Sequence, residues 1–557
     1  MTGLLAAAHL APWLATTGPA PTATPTPATF GANVIGFSFL LSLLVWGPVA
    51  MAVVTAIWPE PRGQSRIFLG IAFWTNAAGL FLVIIGYQQF QSYTSGLQFE
   101  EKLPWLPSLG VGYHLGIDGI GMALLLLNGL VAISAVIASW DVRDRSRTYF
   151  VMLLLAEAAI NGVVVARDLF VLLLFWTAAT VPVVILAAGW GGPRRSAIGA
   201  RLLAYWGLGA AALLAGTLLL YAAVGSADFD LDTLGKASPS PRIQLVIGIL
   251  FGLAALTRLP VVPLHSWARD LFSEAPPGVV VLVAGSASRL GGYVLVRLMA
   301  GLLHDASHVL APFLGAVGAL TVIYAVLAAL TTTDVRRLAA YLALIPGAIT
   351  VLGVAGLTPL SLDGTVMLLF AGGLASALMA GCAATLTERA QARSLGLAAG
   401  LAGRIPKLSW LLLIGCLAVL GLPFLATFSS SLMVFLGSFR TQAAASFLVA
   451  AGLVLGAVAV ARLMHRVLFG APNPDAPTPA DASLSDAWYL GILVGGLLWV
   501  GLLPGGPKLF GIPILDPGLV NIVNTSTADL ASTYAPTPVP TPAASAPPPA
   551  PTGPPAP

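Results

Sequence analysis

Charged residues are scarce: Asp, Glu, Lys and Arg together make up 9% of the 557 residues, against about a quarter in a soluble domain. That deficit excludes a water-soluble fold of this length. Cysteine is scarcer still. Cys382 and Cys416 are the only two, and both lie inside apolar runs, which excludes a disulfide framework or a CxxC metal or redox motif. The six histidines are dispersed, so neither a haem site nor a zinc cluster is expected. No glycine-rich loop follows a strand-like segment, so the chain is expected to bind no nucleotide. The formal net charge is +4, with the basic residues scattered between apolar runs, and nucleic acid is not expected as a partner.

What is abundant is apolar surface, at 57% of the chain. Within 33–504 about fourteen runs are long enough to cross a ~30 Å hydrocarbon core, the first near 33–57 and the last near 487–504. The flanks differ in kind. Residues 1–32 carry an apolar patch and a Pro/Thr/Ala run without an opening Lys or Arg, a poor secretory signal. Residues 505–557 end in an uncharged Pro/Ala/Thr/Ser tail that reads as disordered or polyproline-like. The basic residues then set the expected orientation. Alternate connections hold 17 Lys and Arg, among them Arg143, Arg194, Arg336 and Arg389, while the opposite connections hold 7, among them Lys102 and Arg167. A multi-pass protein of the inner or plasma membrane, with both termini outside the cytoplasm and surrounded by lipids, is the expectation.

Ionisable residues within the runs carry the chemistry. The segment from Arg258 to Trp267 puts a cation, Pro260 and Pro263 inside an apolar run, with His265 close by. A proline frees a backbone carbonyl and breaks the helix, and an embedded charge needs neighbouring helices or internal water. Such a broken, charged helix is what ion-translocating proteins use; the alternative is a kinked structural helix with Arg258 paired internally. Pro423 predicts a second break five spans later. An odd number of crossings inverts one relative to the other, so the pattern predicts two inverted five-helix repeats, each with a broken helix. Glu157 is the one carboxylate placed deep in a span, with Asn161 on the same helix face. It reads as a proton-path carboxylate or as half of a buried ion pair. Arg289 lies among small residues that permit close helix packing. His265 reads as a proton-uptake group or a loop histidine, and Asp118 as a helix start.

At these residues the chain resembles the antiporter-like membrane subunits of respiratory complex I, most closely the chain M branch of the NADH-quinone oxidoreductases. The likeness runs from about 113 to 439. It rests on Tyr113 to Gly119, Glu157 to Gly162, Phe175-Trp176, Pro260 to Trp267, Glu274-Ala275-Pro276, Asp334 to Tyr341, and Gly421-Leu422-Pro423 through Phe439. The chain departs from the family at Arg258 and Arg289, where lysine is usual, and at Thr177 and Ser431, where a carboxylate is usual. An arginine keeps its proton where a desolvated lysine can release one. The resemblance implies an all-α polytopic fold of about fourteen transmembrane helices and a pairing of Glu157 with Arg258. It implies a non-redox subunit of an NADH:quinone oxidoreductase that contributes to proton translocation, with an altered relay. NADH, FMN, iron–sulfur clusters and quinone would be held by partner subunits, beside sister antiporter-like subunits in the membrane. Two rival readings are a subunit of a multi-subunit cation/proton antiporter and a non-conducting scaffold.

Overall fold

The computed structural model describes residues 39–532 and Tyr534, apart from 60–65, 93–95, 226–227, 238, 391–393, 395–399, 472–479, 504–507, 510–511 and 514–517. Segment 1–32 and the proline-rich tail, Tyr534 aside, lie outside the described residues.

Among the described residues, thirteen helices are long and apolar enough to cross a membrane. They are α1 (Leu40–Ile57), α2 (Arg66–Gln89), α3 (Gly119–Ala138), α4 (Ser146–Val165), α5 (Leu169–Gly189) and α6 (Arg195–Val224), then, after the short α7 (Leu231–Lys236), α8 (Pro241–Arg258). The nine-residue α9 (Ser266–Glu274) follows. Next come α10 (Pro277–Ala300), α11 (His304–Thr331), α12 (Val335–Gly356) and α13 (Pro359–Ala390). Two shorter apolar helices, α14 (Pro406–Val419) and α15 (Ala426–Phe439), lie end to end and make a fourteenth crossing. The spans close with α16 (Ala443–Leu468) and α17 (Leu484–Leu502), and α18 (Leu519–Ser532) ends the described chain. The fourteen expected crossings are therefore present, one of them as two half-helices.

Local chemistry sets the boundaries. Asp118 accepts from the Gly121 amide, Asp168 from Phe170 and Val171, and Asp334 from Arg337, each capping the helix that follows. Ser483 and Asp486 form a capping box on α17. Pro241 and Pro406 sit in the first turns of their helices, where a missing N–H costs nothing.

Both expected breaks are present. After α8 the chain turns extended at Leu259, passes Pro260 and Pro263, and resumes as α9. The freed Val262 amide donates to Thr321 Oγ1 of α11 at 3.0 Å. Between α14 and α15 the backbone takes left-handed angles at Gly421 (φ 70°) and Phe424 (φ 73°), on either side of Pro423. These two crossings are five apart and run in opposite directions. Two further irregularities went unread in the sequence: α10 contains π-helical turns at Val283–Ala287 and Leu295–Ala300, and α12 pauses at Ala343 and Leu344. Turns of this kind collect at functional sites.

α10 and α13 form the centre, with their apolar windows wholly buried, whereas α2 shows only 28% of its window buried and faces outward. Gly285 and Gly373 let α10 and α13 touch at the backbone: a Cβ on Gly373 would lie 2.5 Å from the Gly285 carbonyl oxygen.

Two antiparallel strand pairs among the described residues depart from the all-helical expectation, the smaller being Lys508–Leu509 with Ile512–Pro513. Strands β1 (Gln98–Leu106) and β2 (Val111–Ile117) pair antiparallel on the face opposite the arginine-rich connections. Tyr113 to Ile117, expected as the lead into a helix, is a strand whose helix starts only at Gly119. α18 packs against that start, with Gly119 N donating to Ser526 Oγ at 2.7 Å.

Candidate proton path

Five helices contribute polar groups to a ladder around Glu157. Ser286 Oγ of α10 donates to Asn128 Oδ1 of α3 at 2.6 Å. Asn128 Nδ2 donates to Asn161 Oδ1 of α4 at 2.8 Å, and Asn161 Nδ2 to the Leu44 carbonyl of α1 at 3.0 Å. Glu157 is one turn from Asn161 on α4, and its carboxylate faces Asn76 of α2. Its Oε2 is buried with no protein partner. A buried carboxylate oxygen is costly unless a proton or water satisfies it.

Arg258 ends α8 in a different environment. Its Nη2 donates to the Trp176 carbonyl at 3.0 Å and to Thr180 Oγ1 at 2.8 Å. The guanidinium carbon sits 4.0 Å from the Trp176 ring centroid and 4.4 Å from that of Trp206. Two indole faces thus hold the cation between α5 and α6. Among the described residues no ion pair joins Glu157 to Arg258, which corrects the expected pairing. The reason is competition: α5 and α6 offer Arg258 a carbonyl, a hydroxyl and two aromatic faces, while Glu157 turns towards α2.

Arg289 has its own cage. Nη2 donates to Ser376 Oγ at 2.6 Å and to the Ala284 carbonyl at 3.3 Å, and Ser376 passes the chain on to the Ala343 carbonyl, where α12 pauses. A Cβ on Gly347 would lie 3.6 Å from Arg289 Nη1 and 3.5 Å from Leu259, so that glycine lets the cation and the α8 break share one wall. Ser286 and Arg289, three residues apart on α10, connect the amide ladder to this cage. The hydrogen-bonded chain from α4 thus ends at Ser286, one turn from Arg289 on α10.

His265 is buried beside the α8 break, with its ring centroid 4.7 Å from Tyr324 and no protein partner at either nitrogen. Tyr324 in turn meets Tyr341 of α12, centroids 6.0 Å apart. Together with Nε and Nη1 of both Arg258 and Arg289 and the indole nitrogens of Trp176, Trp206 and Trp267, these atoms make a trail of buried polar groups without protein partners. Such groups are normally met by ordered water. Thr177, at the position of an expected carboxylate, points outward and is tied to the Leu173 carbonyl. Ser431 lies beside the second break, where a Cβ on Gly421 would be 3.6 Å from its Oγ.

On the hairpin face the ionic groups are paired. Arg297 donates to Asp118 at 2.6 Å, Arg167 to Asp232 at 2.9 Å, and Lys102 to Asp230 at 2.8 Å, with His114 Nδ1 also 2.7 Å from Asp230. Burial works against ionised Asp118, but the charge and hydrogen bond of Arg297, with Arg167 nearby, outweigh it and hold this carboxyl well below the usual range. Asp230 is likewise lowered, burial being outweighed by His114 and Lys102. Among the described residues no group of three or more His, Cys, Asp and Glu could hold a metal ion.

Sequence reasoning singled out Glu157, Arg258, Arg289 and His265 but missed Asn76, Asn128, Trp206, Ser286 and Ser376. An amide in an apolar run is the one available signal for the asparagines. Nothing in the sequence marks Trp206 as a cation's neighbour.

Residues 166–458 match the family described as NADH:quinone oxidoreductase/Mrp antiporter, TM. The chain is 32% identical over 501 residues to NAD(P)H-quinone oxidoreductase chain 4 1 of Synechococcus sp. (strain JA-3-3Ab), covering 88% of this chain and 92% of the relative. It is 29% identical to NAD(P)H-quinone oxidoreductase chain 4 3 of Trichormus variabilis, covering 85% and 89%. Among solved structures it is similar to a chain of respiratory complex I from Thermus thermophilus, with TM-score 0.78, 23% identity and coverage of 88% and 99%. It is also similar to a chain of the Mrp complex from Dietzia sp. DQ12-45-1b, with TM-score 0.77, 18% identity and coverage of 90% and 98%.

Proposed function

This chain belongs to the NADH:quinone oxidoreductase/Mrp antiporter transmembrane family, and from that premise we propose that it is the antiporter-like membrane subunit, of the chain M or chain 4 kind, of a complex I-type quinone oxidoreductase. One observation carries the choice over a multi-subunit antiporter: the 32% identity to NAD(P)H-quinone oxidoreductase chain 4 across 88% of this chain. The subunit carries no redox step of its own. NADH, flavin, iron–sulfur clusters and quinone belong to partner subunits, and this chain sits in the cytoplasmic membrane with its arginine-rich face inward and both termini outward.

Its part in the proposed activity is to move protons when electron transfer elsewhere changes the local field. Glu157 is the group suited to hold a proton, being a carboxylate beside amides and a water-demanding oxygen. Arg258 and Arg289 act as fixed positive charges that orient water along the trail, since a guanidinium does not cycle at physiological pH. His265 is placed to exchange protons at the arginine-rich end of the trail.

The test is isolation of the native complex through a tag on this chain, followed by identification of its partners. Flavin and iron–sulfur subunits support the reading. Small antiporter subunits without redox partners would replace it with the cation/proton antiporter.

A further inference from the structure

A cleft of about 800 Å³ opens at the arginine-rich end between α2 and α17 and lies outside the proton path. Its walls are apolar below and polar above. Phe73 of α2, Ile133 and Ile137 of α3, and Ile492 of α17 line the lower part. Trp140 and Trp488, 40% and 62% exposed, stand at the mouth. Tryptophans at that level mark the membrane–water boundary. Above them lie Asp141 and Arg389. This gradient fits an amphiphile with its chain along the helices and its headgroup at the rim.

The charges select the headgroup. Arg389 spans Asp486, at 3.1 Å from Nε and 2.7 Å from Nη2, and Asp141, at 4.0 Å. Asp486 is buried, whereas the Asp141 side chain is 78% exposed and open to a further partner. One guanidinium against two carboxylates leaves the rim net negative. A purely anionic lipid would meet that excess. A zwitterion carries both complements: its phosphate can approach Arg389, and its cation can meet Asp141. A carboxylate acceptor favours a primary ammonium with three N–H donors over a quaternary one with none. We propose that this cleft is a specific site for a phospholipid with an ethanolamine headgroup.

The test uses the whole native complex in nanodiscs of phosphatidylcholine alone, or mixed equally with phosphatidylglycerol or phosphatidylethanolamine. Amide hydrogen exchange is followed in 139–145 and 484–492. The ethanolamine lipid should slow exchange in both segments relative to the other two compositions. Asp141→Asn, at an exposed site, should weaken the preference over phosphatidylcholine about fivefold, the factor one charge contact carries at a bilayer surface. Ile492→Trp, which fills the cleft and leaves the ionic rim intact, should remove the protection by every lipid. Equal protection in all three compositions overturns the proposal. So does an ethanolamine effect that survives both substitutions, or a crosslink from position 488 to a neighbouring subunit in the assembled complex.

Discussion

Arg258 sits between two indole rings with its Nη2 bonded to a backbone carbonyl and a threonine hydroxyl. A desolvated cation–π contact is worth about 2 kcal/mol, so Trp206→Leu should destabilise the subunit by at least that amount, read as a lower unfolding midpoint of the purified complex. Glu157 presents the contrasting case. Its buried Oε2 has no protein partner and its neighbours are neutral amides, so Glu157→Gln is nearly isosteric and should leave assembly intact. The substitution should lower the proton-to-electron ratio of the reconstituted complex, because an amide cannot hold the transferred proton. An unchanged ratio in a fully assembled complex would move the proton-holding role away from Glu157.

At the scale of elements, the hairpin and α18 lock the ends of the spans opposite the arginine-rich connections. A Cβ on Gly119 would collide with the Ile522 carbonyl, which is backbone and cannot swing aside. Gly119→Ala should therefore displace α18, seen as faster protease cleavage within 519–532 with the spans still protected. The hairpin's ion pairs impose a pH window. The carboxyl groups of Asp118 and Asp230 are lowered on folding, so their contribution is full above the ordinary carboxylate value of about 4 and is lost as pH falls through the folded values. Burial works against charged Lys102, but the contacts with Asp230 outweigh it and raise its pKa. Its contribution is full below the ordinary lysine value of about 10.4 and is lost as pH rises past it. Protection of the amides in 98–117, taken relative to their intrinsic exchange rates at each pH, should thus be greatest between about pH 4 and 10 and fall on both sides.

The described residues form a bundle of fourteen crossings with the most deeply buried helices at the centre and a pronounced asymmetry of basic residues between its faces. Both native cysteines are fully buried, which makes the chain a quiet background for topology mapping. Thr332→Cys, in the connection after α11, and Leu109→Cys, at the hairpin tip, should label from opposite sides of sealed vesicles with a membrane-impermeant thiol reagent. Leu109→Cys should react from the extracytoplasmic side. Labelling of both from one side would refute the odd crossing count between them.

Length, apolar runs and prolines determine much of this protein without tertiary information. A run that crosses a bilayer must satisfy its own backbone, so hydropathy reports helices directly, and Pro260 and Pro423 interrupt them for covalent reasons. The repeat and the positions of Glu157, Arg258, Arg289 and His265 were legible for the same reason: they are exceptions to a strong local pattern. The hairpin at 98–117 was not, because two short strands with a bulge leave no clear alternation and the register depends on what they pack against. Which charge meets which group was decided only in three dimensions. Arg258 had a carboxylate, two tryptophans and a threonine hydroxyl available among the neighbouring helices, and sequence spacing cannot rank partners on different helices. Packing placed Trp176 and Trp206 on either side of the cation, and turned Glu157 to Asn76 and the amide ladder that leads to Arg289.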